Sequence, residues 1–451
     1  MNSDIPSKGD ALEGPIISTF IKYLIPSLLG LLAMTSAWLV DGIFIGNYVG
    51  VTALAAVNLI IPIITLLFGV SMMVSIGGSV RAGKYLGEKN TPAASAIFSK
   101  TLIFIVVYGV LVTALSLSLE TQIFTTLGAT QELFPVMSEY YRIIMPFLMP
   151  QFIVIQIYFF IRMDGFPNLA AATLIIGSAA NIVLDYYFIA VFDWGLTGAA
   201  LGTGLSQILS LIVAIIYFFQ PQRKIHFGWR QKNWWEVFQA AYNGISEFIN
   251  EVSGAIIAFI FNWMLIQRAG VIGVAAITLV NYLLYVGFMI YFSISDSIQV
   301  MISQNFGARN IQRIRTFFLT ASFFVAASSI CFILILMMGS EGLIGLFIDP
   351  QRDSETIQLA VGFVSYIWPL FIFAGFNMLI SGYLTAVHLP FQSALIATTR
   401  SLIMPVGFLI LFYILLADYR FVAAISIAEA VSFLLAVTLY LRYSPAKVIA
   451  D

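Results

Sequence analysis

Along this chain the apolar residues neither alternate with polar ones nor form narrow helical stripes; they continue for about 20 to 30 residues at a time between charges and turn residues. A membrane-spanning helix needs about 20 mostly apolar residues, and the breaks delimit twelve such runs: 18–46, 52–80, 97–120, 135–162, 168–190, 197–219, 236–266, 272–303, 315–338, 357–386, 392–416 and 421–442. Strands of a membrane barrel would instead show alternating segments of about ten residues, and a run such as Leu102 to Leu119 does not alternate. The pattern predicts an all-α integral membrane protein.

Composition agrees. Of 451 residues, 60% are hydrophobic and 10% charged, against about 25% charged in soluble proteins, and the mean hydropathy is +0.97. With 21 Lys and Arg against 22 Asp and Glu, no basic excess is left to bind nucleic acid through its phosphates. The single cysteine, Cys331, excludes an intrachain disulfide. Asp4, Asp10 and Glu13 outnumber Lys8 ahead of the first run, the wrong charge for a cleavable signal peptide, so that run is expected to remain. His226 and His388 stand far apart, which leaves no zinc cluster or cofactor site to expect. Gly78 to Tyr85 nearly spells a phosphate-binding loop, but Tyr85 stands where a Ser or Thr must reach Mg²⁺. ATP-driven pumping is set aside on that ground, and the chain is not read as an enzyme. The acids are distributed asymmetrically and form no pore ring, which argues against a passive channel.

Lys84, Lys89, Arg162, Arg223, Lys224, Arg230, Lys232, Arg309, Arg313 and Arg315 gather in one set of connections, together with both chain ends. Glu132, Asp193, Glu341, Asp349, Asp353 and Glu355 mark the other set. Basic residues favour the cytoplasmic side, so both termini are expected in the cytoplasm.

The chain also repeats itself. At an offset of 220, Val49 to Val57 lies over Ala269 to Ile277, and Gly87 to Asn90 over Gly307 to Asn310; at 223, Pro146 falls on Pro369 and Pro167 on Pro390. Six helices per half is an even number, so both halves cross in the same sense, as parallel repeats related by a pseudo-two-fold axis. The expected organisation is a lobe over 1–220, a cytoplasmic connection over 221–235 and a second lobe over 236–451, with substrate handled between the halves by alternating access.

An ionisable residue near the bilayer centre costs about 2.5 to 3.5 kcal/mol and is functional by default. Asp41 and Asp185 both lie about five residues, roughly 8 Å, from the outer end of their spans, and Asn181 is one turn from Asp185 on the same face. Two acids at one depth in low dielectric cannot both stay ionised cheaply, so one is poised to accept a proton; the alternative is structural acids bonded to nearby backbone. Glu247 and Glu251 share a face of the seventh span and suit an organic cation or Na⁺, or a bond within their own lobe. Arg400 and Glu429 fall near mid-depth on neighbouring spans and are expected to pair as architecture, with substrate contact or gating as the alternatives. Asp296 has no assignable partner. Pro26, inside the helix that carries Asp41, is a candidate hinge. Met34, Trp38 and Tyr141 are candidates for an adaptable substrate pocket.

Val40 to Pro62 (VDGIFIGNYVGVTALAAVNLIIP) and Asn181 to Gln207 (NIVLDYYFIAVFDWGLTGAALGTGLSQ) resemble multidrug and toxic compound extrusion (MATE) transporters. Asp41 with Asn181 and Asp185 is similar to the DinF-like pattern, whereas the NorM-like acid of the tenth helix has no counterpart near Phe371 to Ile380. The resemblance implies two six-helix lobes, export of amphipathic organic cations or drugs in exchange for H⁺, and a coupling site of Asp41, Asn181 and Asp185 with Thr203 as a further member. It also implies a monomer in the lipid bilayer of the bacterial plasma membrane. The alternatives are Na⁺ coupling, or flipping of lipids or lipid-linked precursors.

Overall fold

In the computed structural model the described residues are 10–345, 347 and 353–450; Asp4, Lys8 and Asp349, named above, lie outside them. Every regular element among them is helical: α1 (Ile16–Phe44), α2 (Val51–Gly87), α3 (Thr91–Ser118), α4 (Glu120–Thr126), α5 (Phe134–Met163), α6 (Pro167–Asp185), α7 (Gly195–Ile215), α8 (Trp235–Asn243), α9 (Ile245–Gly307), α10 (Ile311–Ile344), α11 (Ser354–Ile367), α12 (Leu370–Ala386), α13 (Pro390–Thr398), α14 (Met404–Leu415), α15 (Ala424–Arg442) and α16 (Pro445–Ala450). Ten described helices are long and apolar enough to cross a membrane. One of them, α9, is 63 residues long and is interrupted by non-helical backbone at Gly270. The pair α11 and α12, bent by 55° at Trp368–Pro369, supplies a further span. With α9 divided at Gly270, the spans number twelve, six before Gly244 and six after it.

The chain forms two compact units, dividing between Gly244 and Ile245. The hydropathy pattern starts the second lobe at 236, but α8 packs on α2 and α3 of the first unit. Glycines permit this closeness: a Cβ on Gly77 would come within 1.8 Å of the Ala240 carbonyl oxygen, and one on Gly244 within 2.0 Å of that of Met73. Backbone packed on backbone leaves room for no other residue.

The repeat is written in the backbone. Gly50 and Gly270 both take positive φ, at 113° and 59°, as do Lys89 and Arg309, at 59° and 54°. The asparagines that follow, Asn90 and Asn310, each cap a helix by accepting from the backbone N–H three residues on. Pro167 and Pro390 each open a helix at its first position, where proline's missing N–H costs nothing. The central helix of the first unit is α5, the most buried of its spans; at an offset of 223 its second half falls on α12, which is buried along most of its length. Pro146 sits within the continuous α5, whereas its counterpart Pro369 marks the bend before α12.

Candidate functional site: a carboxylate pair in the first unit

Asp41 lies in the last turn of α1 and Asp185 is the final residue of α6. Each is followed by a π-helical turn, Ile45–Val49 after α1 and Tyr186–Val191 after α6. There Gly50 N–H reaches the Ile45 carbonyl at 2.9 Å and Phe192 N–H that of Tyr187 at 2.8 Å, five residues back. Such insertions are rare and favour functional positions. Asp41, Asn181 and Asp185 are all buried, Asp185 completely. Among the described residues, no hydrogen bond of ordinary geometry reaches Oδ1 of Asp41 or either carboxylate oxygen of Asp185, to which the Asn181 side chain is at most a weak donor. Buried polar atoms are almost always satisfied, so these oxygens are open to a proton, a water or a cation.

A cavity of about 130 Å³ opens beside them, and Asp41, Asn181 and Thr203 form part of its wall. Asn181 Nδ2 donates to Thr203 Oγ1 at 3.4 Å. Asp185 does not line the cavity; it lies within electrostatic reach of Asp41, and Tyr140 lies within reach of both. One acid therefore faces the cavity and the other is enclosed. Met34 and Trp38, on the same helix as Asp41, also line the cavity, together with Tyr140, Gln151 and Gln207, which the sequence alone does not place in the site. Gln207 is one turn beyond Thr203, a spacing that could have exposed it.

Tyr141 is a correction. It does not line the cavity: its hydroxyl donates to the Ser116 carbonyl at 3.3 Å and its ring packs edge-on against Phe124. Adjacent residues on a helix point about 100° apart, so only one of Tyr140 and Tyr141 can face inward. Pro26 lies inside α1, which continues through it.

The ionisable residues of the second unit form a separate group. Arg400, in the π-helical turn Thr399–Ile403, donates from Nη2 to Glu429 Oε1 at 2.9 Å, and Asn377 Nδ2 donates to Glu429 Oε2 at 2.6 Å. Glu247 lies within electrostatic reach of Glu251, Asp296 and Arg400 and is bonded to Asn250, which accepts from Ser401 at 2.9 Å. Asp296, left without a partner by the sequence, thus belongs to this network. The described lining of the cavity that holds Met34 and Trp38 comes from the first unit. At the repeat offsets Asp41 falls on Phe261 and Asp185 on Phe408, so the two units carry different chemistry on one scaffold.

The MatE family model matches residues 26–187 and matches again over 248–411. The chain belongs to the MatE family. The two matches begin 222 positions apart, in step with the internal repeat. The multidrug export protein MepA of Staphylococcus aureus (strain MSSA476) is 22% identical over 407 residues, 88% of each chain. Among solved structures, an outward-facing multidrug resistance MATE family transporter of the MOP superfamily superposes with a TM-score of 0.90 at 21% identity, covering 98% of both chains. A MOP superfamily transporter from Pyrococcus furiosus, described by the reversed polarity of its binding pocket, does so with the same score and identity, over 98% of both chains. At such identities the structural likeness speaks for the fold. This MatE protein is a multi-pass membrane transporter rather than an enzyme.

Proposed function

We propose that this MatE protein is a proton-coupled antiporter of the DinF-like type, which exports amphipathic organic cations and similar toxic compounds by alternating access. The observation that carries the reading is the pair of buried carboxylates, Asp41 on the cavity wall and Asp185 enclosed behind it, with no cationic side chain bonded to either among the described residues. Two such acids in low dielectric compete for one proton, and a cationic substrate at Asp41 would compete with it for the same charge. The name of MepA as a multidrug export protein points the same way. Among the described residues no Lys, Arg or His lines the cavity, which disfavours a phosphate headgroup and hence lipid flipping. Glu247 and Glu251 are the proposed counter-charges for cationic substrates in the second unit, and Pro26 the proposed point of bending in α1. We place the protein in the bacterial plasma membrane, as a monomer with both termini cytoplasmic, needing no cofactor beyond its coupling ion.

The test is Asp41→Asn in proteoliposomes. The variant keeps the shape and relieves the membrane of an acid, so it should fold and insert while proton-driven efflux is lost. Efflux at the wild-type rate would remove Asp41 from the coupling site.

A further inference from the structure

Ahead of α8 the chain runs over 220–235 with Arg223, Lys224, Arg230 and Lys232 and not one acid. Its backbone is fixed at several points. Asp164 accepts from Lys224 N–H at 2.9 Å and from Ile225 N–H at 3.3 Å, while His226 N–H and Gly228 N–H donate to Ser95 and Ser99 of α3, each at 3.0 Å. Beyond Gly228 the side chains turn outward: Arg230 and Lys232 are exposed, Trp229 is 79% exposed and Trp235 65%. Among the described residues neither Arg230 nor Lys232 is in an ion pair.

The helix that follows has two faces. Val237, Ala240 and Asn243 are buried, and Glu236 is bound by Lys100 at 2.6 Å and by the Tyr85 hydroxyl at 3.1 Å. On the other side the rings of Trp235 and Phe238 meet at a tilt of 36° with centroids 5.4 Å apart, exposed like Tyr242 below them. The depth of this surface follows from α2. Its 37 residues span about 55 Å, more than the roughly 40–45 Å of a bilayer with its headgroups. Glu236 meets Arg81 and Tyr85 in the last turns of α2, which puts the start of α8 at headgroup level when α2 is centred in the bilayer. Tryptophan prefers that level, and bases there attract acidic lipid.

We propose that Trp229, Arg230, Lys232 and Trp235 form a binding surface for acidic phospholipids in the leaflet on that side, with Phe238 and Tyr242 against the acyl chains. The surface is already held in place by the bonds of its backbone, so little order must be gained on binding.

The test is native mass spectrometry of the full chain released from micelles with equal phosphatidylglycerol and phosphatidylcholine. Wild type should retain phosphatidylglycerol preferentially. Each base near an acidic surface is worth about fivefold, so Arg230→Gln with Lys232→Gln should lower that preference by an order of magnitude or more, and the preference should weaken with added salt. Both side chains are exposed, so these changes should leave thermal unfolding unaltered. Arg309→Gln with Arg315→Gln removes two bases from another connection and should leave the preference in place. An unchanged preference in the first pair, an equal loss in the second, insensitivity to salt, or displacement of the lipid by millimolar inorganic phosphate would each overturn the proposal.

Discussion

Asp185 lies flat against α7 because residue 202 is glycine: a Cβ there would come within 2.3 Å of its Oδ1. A displacement of about 1 Å at a reacting group costs on the order of a hundredfold. We therefore expect Gly202→Ala to push the carboxylate off its seat and slow proton-coupled efflux by ten- to a hundredfold with the fold intact; transport at the wild-type rate would show that the position of Asp185 is immaterial. Asp41 and Asp185 were legible in the sequence because residue counts along a helix give depth, and two acids at one depth are conspicuous in an apolar chain. Tyr140 was not, since depth does not say which of two adjacent tyrosines faces inward.

Arg400 and Glu429 were paired by the same count of depth, and their 2.9 Å contact carries an energetic consequence. Removing one partner of a buried pair leaves a bare charge and costs about 3–5 kcal/mol, whereas replacing both with apolar residues is often close to neutral. Arg400→Met should therefore depress thermal stability strongly, and Arg400→Met with Glu429→Met should recover much of it; additive losses would contradict the pairing. The separate docking of α8 was hidden, because apolar periodicity runs on through Gly244 and the close contacts at Gly77 and Gly244 involve only backbone. Partial burial works against the charged form of Glu236, but Lys100, Tyr85 and Arg81 outweigh it and hold the carboxyl below the usual carboxylate range. A depressed value means stability that is present above the free carboxyl's value, about 4.3, and lost as pH falls through the folded one. Hydrogen exchange over 235–243 should thus lose protection below about pH 4, while Glu236→Gln should be less protected at neutral pH and show no acid step; the same acid step in the glutamine variant would sink the assignment.

The two units share a repeated backbone, down to positive φ at Gly50 and Gly270, yet the acid pair beside the cavity belongs to the first and the arginine-centred network to the second. The repeat was visible as four short matches at nearly one offset, and the family model finds it as two separate matches. Scaffold is thus duplicated while charge is not, and the proposed proton coupling rests on the acids of the first unit. If one proton enters for each monovalent cation expelled, no net charge moves and the membrane potential, about 2.3 kcal/mol per 100 mV, cancels; each pH unit then supplies about 1.36 kcal/mol, a tenfold substrate gradient. The decisive measurement is efflux of a monovalent organic cation from proteoliposomes with a pH gradient or a Na⁺ gradient imposed alone. The account predicts efflux under the pH gradient that nigericin in K⁺ medium abolishes and valinomycin spares; efflux driven by the Na⁺ gradient at equal pH would contradict it.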